Sequence, residues 1–374
     1  MLVQIDSHLT GGRVTNNLSR LYHYLMEGRH PVVMVIFVML QAGSELMFIP
    51  PALAYLSSWD KFVLIPFLVS APYYTLYRSY AVEEHHITAE KYAAALTAYP
   101  YDYTLYHPHQ TCRTCHRPKP ARSKHCSICK KCITRQDHHC IWINNCVGAH
   151  NYQHFFFLLV SISCLLLYGS LTGWSILNRI AQQQFVPSYL TVGSVTSKKW
   201  STGLDWSDYI NAWSIIIAMN VRLGAITLLA SMCLPLSTGF AIYHVYLFYL
   251  GATTNETAKW SDLKEDIMDQ LIWSGKIEEL TSDYPGPLDP ATVYDADYHR
   301  DESSKCGRTP VWPTCPRDWV IRIADGAMPL RRRTDGLGDE PDTRWKKVRS
   351  IQEVVNIYDL GFFENAREML FPSV

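Results

Sequence analysis

Four stretches of this 374-residue chain are apolar for long enough to be read as crossing a bilayer. A spanning helix needs about 20 mostly apolar residues, because a rise of about 1.5 Å per residue must cover about 30 Å of hydrocarbon. The first stretch, about Pro31 to Leu56, carries Gln41 and Glu45, and the second, about Lys61 to Tyr80, carries Pro66 and Pro72. The third, Phe155 to Leu177, holds no charge, and the fourth, Leu223 to Leu250, holds none beyond a proton on His244. Tyr209 to Val221 is also apolar and reads as an interfacial segment or a helical extension. Backbone amides in lipid must be satisfied within the segment, so the expected fold is an α-helical polytopic membrane protein with four transmembrane helices.

Lysine and arginine in the loops orient such a chain. Residues 81–152 carry nine of them, the link 57–60 carries none, and the loop 178–209 carries three. The basic segment and both termini are therefore expected in the cytosol, which an even number of spans allows. The expected organisation is a cytosolic arm over 1–30, spans 1 and 2 over 31–80, and a cytosolic module over 81–152. Spans 3 and 4 with a lumenal loop follow over 153–250, then a cytosolic tail over 251–374. Residues 1–30 lack the apolar core of a cleavable signal peptide. In the tail, Pro, Asp and Gly between Asp283 and Asp342 predict irregular structure, and the spacing from Ile351 to Phe371 predicts a helix with one apolar face. Lysine plus arginine equals aspartate plus glutamate, 34 each, so net charge argues against a nucleic-acid partner.

Seven of the eleven cysteines fall between Cys112 and Cys146, paired tightly and mixed with histidine and lysine. That placement suits metal ligation in a reducing compartment, not a secreted disulfide framework. The segment reads Cys112-x2-Cys115, then His125-Cys126-x2-Cys129-x2-Cys132, then Asp137-His138-His139-Cys140, and closes with Cys146. Zinc prefers four thiolate or imidazole ligands in a tetrahedron, and CxxC pairs grip one metal naturally. Two closed sites need eight ligands. Cys112, Cys115, His125, Cys126, Cys129, Cys132 and Cys146 supply seven, and either His138 or His139 supplies the eighth; spacing does not choose between them.

What is left over is one histidine, Asp137 and Cys140, a thiol beside an imidazole beside a carboxylate. A free thiol with a pKa of about 8.5 is only slightly ionised at neutral pH. A histidine can take its proton, and a carboxylate can fix the histidine tautomer and stabilise the imidazolium. Spacing alone also permits a metal-only scaffold in which Cys140 is another ligand.

The segment resembles the DHHC protein palmitoyltransferases. The likeness covers Cys112 to Phe155 almost without a gap and includes Arg117-Pro118, Pro120-x-Arg122, His125-Cys126, Asp137-His138-His139-Cys140, Trp142, Asn145-Cys146, Gly148 and Asn151. Thr253-Thr254-Asn255-Glu256, directly after the fourth apolar stretch, looks like the family's TTxE motif. Asn356-x-Tyr358-Asp359-x-Gly361, followed by Asn365, looks like its C-terminal motif. The resemblance implies two structural zinc ions, one on Cys112, Cys115, His125 and Cys132 and the other on Cys126, Cys129, His139 and Cys146. It implies Cys140 as the acyl-carrying nucleophile, His138 as base, Asp137 as its orienter and palmitoyl-CoA as acyl donor. Acceptors would be membrane proteins with cytosolic juxtamembrane cysteines. The threonines would approach the Asp137 end of the catalytic loop, and Asn365 would tie the tail to the helix bundle.

Ile141 stands where proline is common in the family. Lys119-Pro-Ala-Arg-Ser-Lys-His125, Cys140-Ile-Trp-Ile-Asn-Asn-Cys146, Thr-Thr-Asn-Glu and the nearby Lys259-Trp260 resemble the fungal spore-wall-formation branch, which acylates SNAREs and other single-span proteins at the endoplasmic reticulum membrane.

Lys119, Arg122 and Lys124 suit either the phosphates of coenzyme A or anionic lipid headgroups, and the resemblance favours Lys119 and Arg122 for the phosphates. Trp142 suits the acyl path or rigid packing between zinc loops. Glu45 is expected to face the bundle interior in a hydrogen bond. Cys306 and Cys315 form no CxxC pair and are expected to hold no metal. The rival functions are a membrane ubiquitin ligase of RING type, whose ligand spacing differs and which has no place for DHHC, and a zinc-binding membrane adaptor without acyltransferase activity.

Overall fold

The computed structural model describes residues 13–108, 110–191, 206–280, 312, 316–332 and 339–372. The N-terminal arm contains an amphipathic helix, α1 (Arg13–Glu27), directly before α2 (Val32–Ala52). Among the described residues three helices are long and apolar enough to cross a membrane: α2 with its 3-10 extension to Tyr55, and, after the cysteine-rich module, α5 (Tyr152–Thr191) and α7 (Val221–Leu250). The stretch read as the second span is helical too, a π turn over Asp60–Leu64 running into α3 (Ile65–Ala81). Its charges and prolines leave it less apolar than the others, so three crossings, not four, stand on length and composition. Glu45 behaves as expected, accepting from the Tyr73 hydroxyl at 2.7 Å and from Gln41 at 3.1 Å.

The core of the bundle is the α5–α7 seam. Without a hydrophobic drive between helices in lipid, close backbone approach and small polar contacts must hold them. Ser163 meets Ser237 at 2.8 Å, Ser170 meets Ser231 at 2.7 Å, and the Trp174 indole N–H donates to Ser231. A methyl group on Gly173 would strike Thr227, so only glycine fits there. The apolar run from Tyr209 is a separate helix, α6 (Trp206–Met219), which turns at Asn220 and packs on the start of α7.

Between α3 and α5 lie one short helix, α4 (Tyr92–Thr97), and two antiparallel hairpins. These pair β1 (Lys124–Cys126) with β2 (Lys131–Ile133), and β3 (His138–Cys140) with β4 (Asn145–Val147). After α7 the chain turns at Gly251, which has φ 60°. A Cβ there would lie 2.9 Å from the Asp359 Cα and 3.0 Å from the Asn365 Nδ2, so the tail packs directly on this turn. Helix α8 (Thr254–Met268) starts with a capping box: the Thr253 hydroxyl accepts from the Glu256 amide while the Glu256 carboxylate accepts from the Thr253 amide.

The tail is more regular than its composition predicts. The strands β5 (Ile272–Lys276), β6 (Asp318–Arg322) and β9 (Lys346–Lys347) form one sheet in the order β6-β5-β9. A short helix, α9 (Ile277–Leu280), follows β5, and a hairpin joins β7 (Leu330–Arg332) to β8 (Asp339–Pro341). Of these, β6, β7 and β8 fall in the stretch whose composition predicts irregular structure; composition misses them because their pairing is non-local and edge strands tolerate Pro and Asp. The helix expected over Ile351 to Phe371 is only half present. A 3-10 turn covers Ile351–Glu353, and α10 (Phe362–Leu370) begins after Gly361 at φ 87°. Asn365 meets the end of α7 as expected, its amide nitrogen lying against Gly251. Its amide donates to Asp359 and its carbonyl accepts from the Leu360 amide, so its hydrogen bonds close the tail loop upon itself, while the loop's contact with Gly251 reaches the bundle. Cys306 and Cys315 lie outside the described residues.

Two buried arginines join the module to the tail. Arg122 donates through Nε and Nη2 to Glu256 at 2.7 and 2.6 Å, with its guanidinium over the Tyr358 ring. Arg135 donates to the Glu368 carboxylate at 2.7 Å and to the Glu368 and Met369 carbonyls at 2.8 Å each. Arg122, Arg135 and Glu256 are each no more than 2% exposed. Removing one partner of such a pair strands a buried charge, at a cost of about 3–5 kcal/mol. Glu256→Ala should therefore lower the folded yield and the melting midpoint in detergent, and adding Arg122→Met should recover part of both. Unchanged melting in Glu256→Ala would show that the pair is not needed for stability.

Candidate active site and metal centres

Strand alternation arranges the cysteine-rich module. In β3 the side chains of His138 and Cys140 share one face, and His139 projects from the other. In the β3–β4 register His139 sits opposite Cys146. In the β1–β2 register His125 sits opposite Cys132, while its neighbour Cys126 points the other way. Adjacent residues of one hairpin thus serve two different clusters.

The first cluster gathers Cys112, Cys115, His125 and Cys132, and the second gathers Cys126, Cys129, His139 and Cys146. Within each, all the donor atoms lie within 4.8 Å of one another. In the second, the His139 Nδ1 is 3.4 Å from Cys129, 3.6 Å from Cys146 and 3.7 Å from Cys126. In the first, the His125 Nδ1 is 3.3 Å from Cys115 and 3.8 Å from Cys132. A metal–sulfur bond of about 2.3 Å implies tetrahedral edges of about 3.8 Å, so both sets fit a tetrahedrally bound soft metal such as zinc. His138 belongs to neither set.

His138 instead holds Asp137, with Nδ1 2.6 Å from the carboxylate. Asp137 is buried, and its other oxygen accepts from the Thr254 amide at 2.7 Å. The Thr253 hydroxyl donates to the Gln136 carbonyl at 3.2 Å. The two threonines therefore approach the Asp137 end of the loop. Burial works against a proton on His138, but hydrogen bonds to Asp137 and to the Cys140 thiol outweigh it and raise the imidazole to about 10. Burial likewise works against the Asp137 charge, yet His138 and the Thr254 amide hold its carboxyl below the usual range. A carboxylate, an imidazole that favours its proton and a thiol on the same face of one strand are a set that can do acid–base chemistry at sulfur.

Cys140 is buried, and its surroundings are apolar. Leu76, Val147, Phe155, Leu158, Leu247 and Phe248 belong to the same core, with Met34, Phe37 and Val38 of α2 packed against it. Trp142 remains half-exposed and meets Phe37 edge to face at 6.0 Å. Cys140 thus sits where the polar module meets the helices.

On the module's polar side is a cavity of 270 Å³ lined by Lys119, Lys124, Lys259, Tyr106, Gln110 and Asn255, among others. Lys124 donates to the Asn255 side chain at 2.8 Å, and the Lys259 ammonium lies 3.9 Å above the Tyr106 ring centre. Burial lowers Lys259 to about 8, against the pull of Glu256 and Asp102. Arg122, expected among the phosphate-binding groups, is not free for that task. Its guanidinium is enclosed by Glu256, Tyr99 and Tyr358, because a planar fork in a dry site must be matched by a carboxylate. Lys259 and His244 were the residues that sequence reasoning passed over. The first had only its nearness to the TTxE-like motif to mark it, and the second only its place as the lone histidine of its span.

A family model described as DHHC palmitoyltransferase matches residues 105–261. The palmitoyltransferase swf1 of Emericella nidulans is 38% identical over 96% of this chain and 84% of its own length. That of Aspergillus fumigatus is 39% identical over 91% and 86%, and that of Neurospora crassa 35% identical over 99% and 82%. With likeness running from the arm through the tail, the chain belongs to the DHHC palmitoyltransferases, in the Swf1 branch, and is a protein-cysteine S-palmitoyltransferase.

Proposed function

We propose that Cys140 carries the acyl group, that His138 moves its proton, and that Asp137 holds His138 in the productive tautomer. The observation that supports this best is the alternation along β3, which sends His138 and Cys140 to one face and His139 to the metal cluster on the other. The Cys140 thiol yields its proton to His138 before the attack, and the sulfur attacks the thioester carbon of palmitoyl-CoA as the thiolate of that thiolate–imidazolium pair. The His138 proton then passes to the departing coenzyme A thiolate. In the second half, His138 takes the proton of an acceptor cysteine, which attacks the acyl-enzyme, and returns it to the Cys140 sulfur. Two zinc ions, when bound by the eight cysteine and histidine ligands, supply structural cross-links to a module with little apolar core of its own. The hydrocarbon chain lies among α2, α3, α5 and α7, each buried methylene contributing about 0.8 kcal/mol.

The donor's phosphates bind Lys119, Lys124 and Lys259, a set revised from the Lys119–Arg122 pair. The basic segment before α5 supports a cytosolic module and tail, with Asp60–Ala81 as the fourth crossing. The likeness to the Swf1 branch supports acceptors with juxtamembrane cysteines, SNAREs among them, and residence in the endoplasmic reticulum membrane. A RING-type ligase or an inactive zinc adaptor has no comparable support.

Incubation with a clickable palmitoyl-CoA analogue tests the core of this reading. Wild type should acquire a hydroxylamine-sensitive label, and Cys140→Ser should acquire none. His138→Ala should keep about two zinc ions and lose acyl-enzyme formation by about 10²–10⁴-fold, as general-base variants do. His139→Ala should instead lose about one zinc and destabilise the module. Zinc lost from His138→Ala and kept in His139→Ala would reverse their roles.

Charge-assisted hydrogen bonds are worth about 1.5–3 kcal/mol each, and about 1.4 kcal/mol is tenfold in affinity. Lys259→Ala should therefore raise the half-saturating palmitoyl-CoA concentration about tenfold while the rate at saturation holds. An unchanged half-saturation would remove Lys259 from the donor site.

A further inference from the structure

Ionisable side chains inside a membrane span are costly and call for a reason. His244 lies on α7, three residues before Leu247, and is only 3% exposed. Its Nδ1 is 2.6 Å from the hydroxyl of Tyr152, the first residue of α5, which is fully buried. The Tyr152 ring in turn lies 5.8 Å below the Arg135 guanidinium. The His244 ring stands edge to face with Phe155 at 5.2 Å, and Phe155 stands edge to face with His138 at 5.3 Å. The two imidazole centres are 6.5 Å apart.

The Asp137 hydrogen bond fixes only one corner of the His138 ring. The ring's tilt, and so the direction of Nε2, depends on what packs against its face and edge. That neighbour is Phe155, and Phe155 is flanked by His244, whose ring closes a triangle with those of Phe155 and His138. The seam between α5 and α7 has other polar contacts, the serine pairs 163–237 and 170–231, but those lie farther along both helices from the site. Serine at position 244 could satisfy a hydroxyl, but it could not fill the space beside Phe155 and His138. An imidazole does both.

We propose that the Tyr152–His244 hydrogen bond is a positioning device for His138, acting through Phe155 to keep the imidazole aimed at the Cys140 sulfur. This rests on the reading of His138 as the proton-moving group. Losses of about tenfold to a hundredfold are the scale expected when a catalytic group is misaimed without being removed.

The test compares His244→Phe, Tyr152→Phe, their double variant, His244→Gln and His138→Ala in full-length protein. Only material with two zinc ions and a single size-exclusion peak is assayed, by single-turnover acyl-enzyme formation across palmitoyl-CoA concentrations. Each single variant should lose about tenfold or more in maximal rate, with half-saturation little changed. The double variant should be no slower than the worse single one, since both break one bond. His244→Gln, which keeps an acceptor, should recover part of the rate. Tyr152→Phe removes one oxygen atom and carries the test if His244→Phe fails to fold. Wild-type rates in folded Tyr152→Phe and His244→Phe, beside an inactive His138→Ala, would show that the pair only packs helices. A fully active His138→Ala would remove the base reading and this inference with it.

Discussion

The buried pairing of Arg122 with Glu256 and of Arg135 with Glu368 is the contact through which three separate stretches of chain become one site. Each arginine comes from the cysteine-rich module; one glutamate comes from the first turn of α8 and the other from α10. Tyr99 donates to Glu368, and the Arg122 guanidinium lies 3.8 Å from that carboxylate, so the pairs share one network. Buried ion pairs give little net stability against an apolar alternative of the same shape, and their use is often to specify one arrangement. Here the arrangement brings Thr253 and Thr254 to Asp137. Glu256 serves twice, as ion-pair partner and as the capping-box residue of α8, so fixing Arg122 also fixes the helix start whose amide holds the Asp137 carboxylate.

Much of the site was legible in the sequence because it depends on short spacings. The CxxC pairs and histidines counted from spacing do gather in space, in the two ligand sets that the resemblance implied. The choice between His138 and His139 was also available in principle. A three-residue strand through Asp-His-His-Cys sends alternate side chains to opposite faces, but the strand must first be recognised, and its residues carry no β-favouring pattern. Arg122 was read amiss for a different reason. Its partner is 134 positions away, and an arginine among lysines looks like surface charge until the fold encloses it.

The apolar stretches were legible as helices, but the count of crossings was not. Asp60–Ala81 forms the expected helix, yet its prolines, Lys61 and Arg78 keep it below the apolarity of the other three. In the tail, the β5–β6 pairing joins residues more than forty apart, which no local pattern announces. The helix drawn through Ile351 to Phe371 ignored Gly361, whose positive φ separates the 3-10 turn from α10.

The position of Cys140 has a physical logic under the proposed mechanism. Its acyl donor is two molecules in one, a polyanion and a hydrocarbon joined at the reacting thioester. No single environment suits both ends. The helices offer the hydrocarbon a low-dielectric setting in which three lysines would bind phosphate poorly, because each would first have to lose its water. The lysine-lined cavity keeps those cations at the module's polar side. Cys140 is the residue whose neighbours are apolar side chains of the bundle on one side and a hairpin of the module on the other. A nucleophile deeper among the helices would meet methylenes, and one farther into the module would meet pantetheine. Only at this boundary does the donor's reactive carbon arrive with both of its ends accommodated, and the hairpin's rigidity, set by His139 and Cys146 on its far face, keeps the sulfur there.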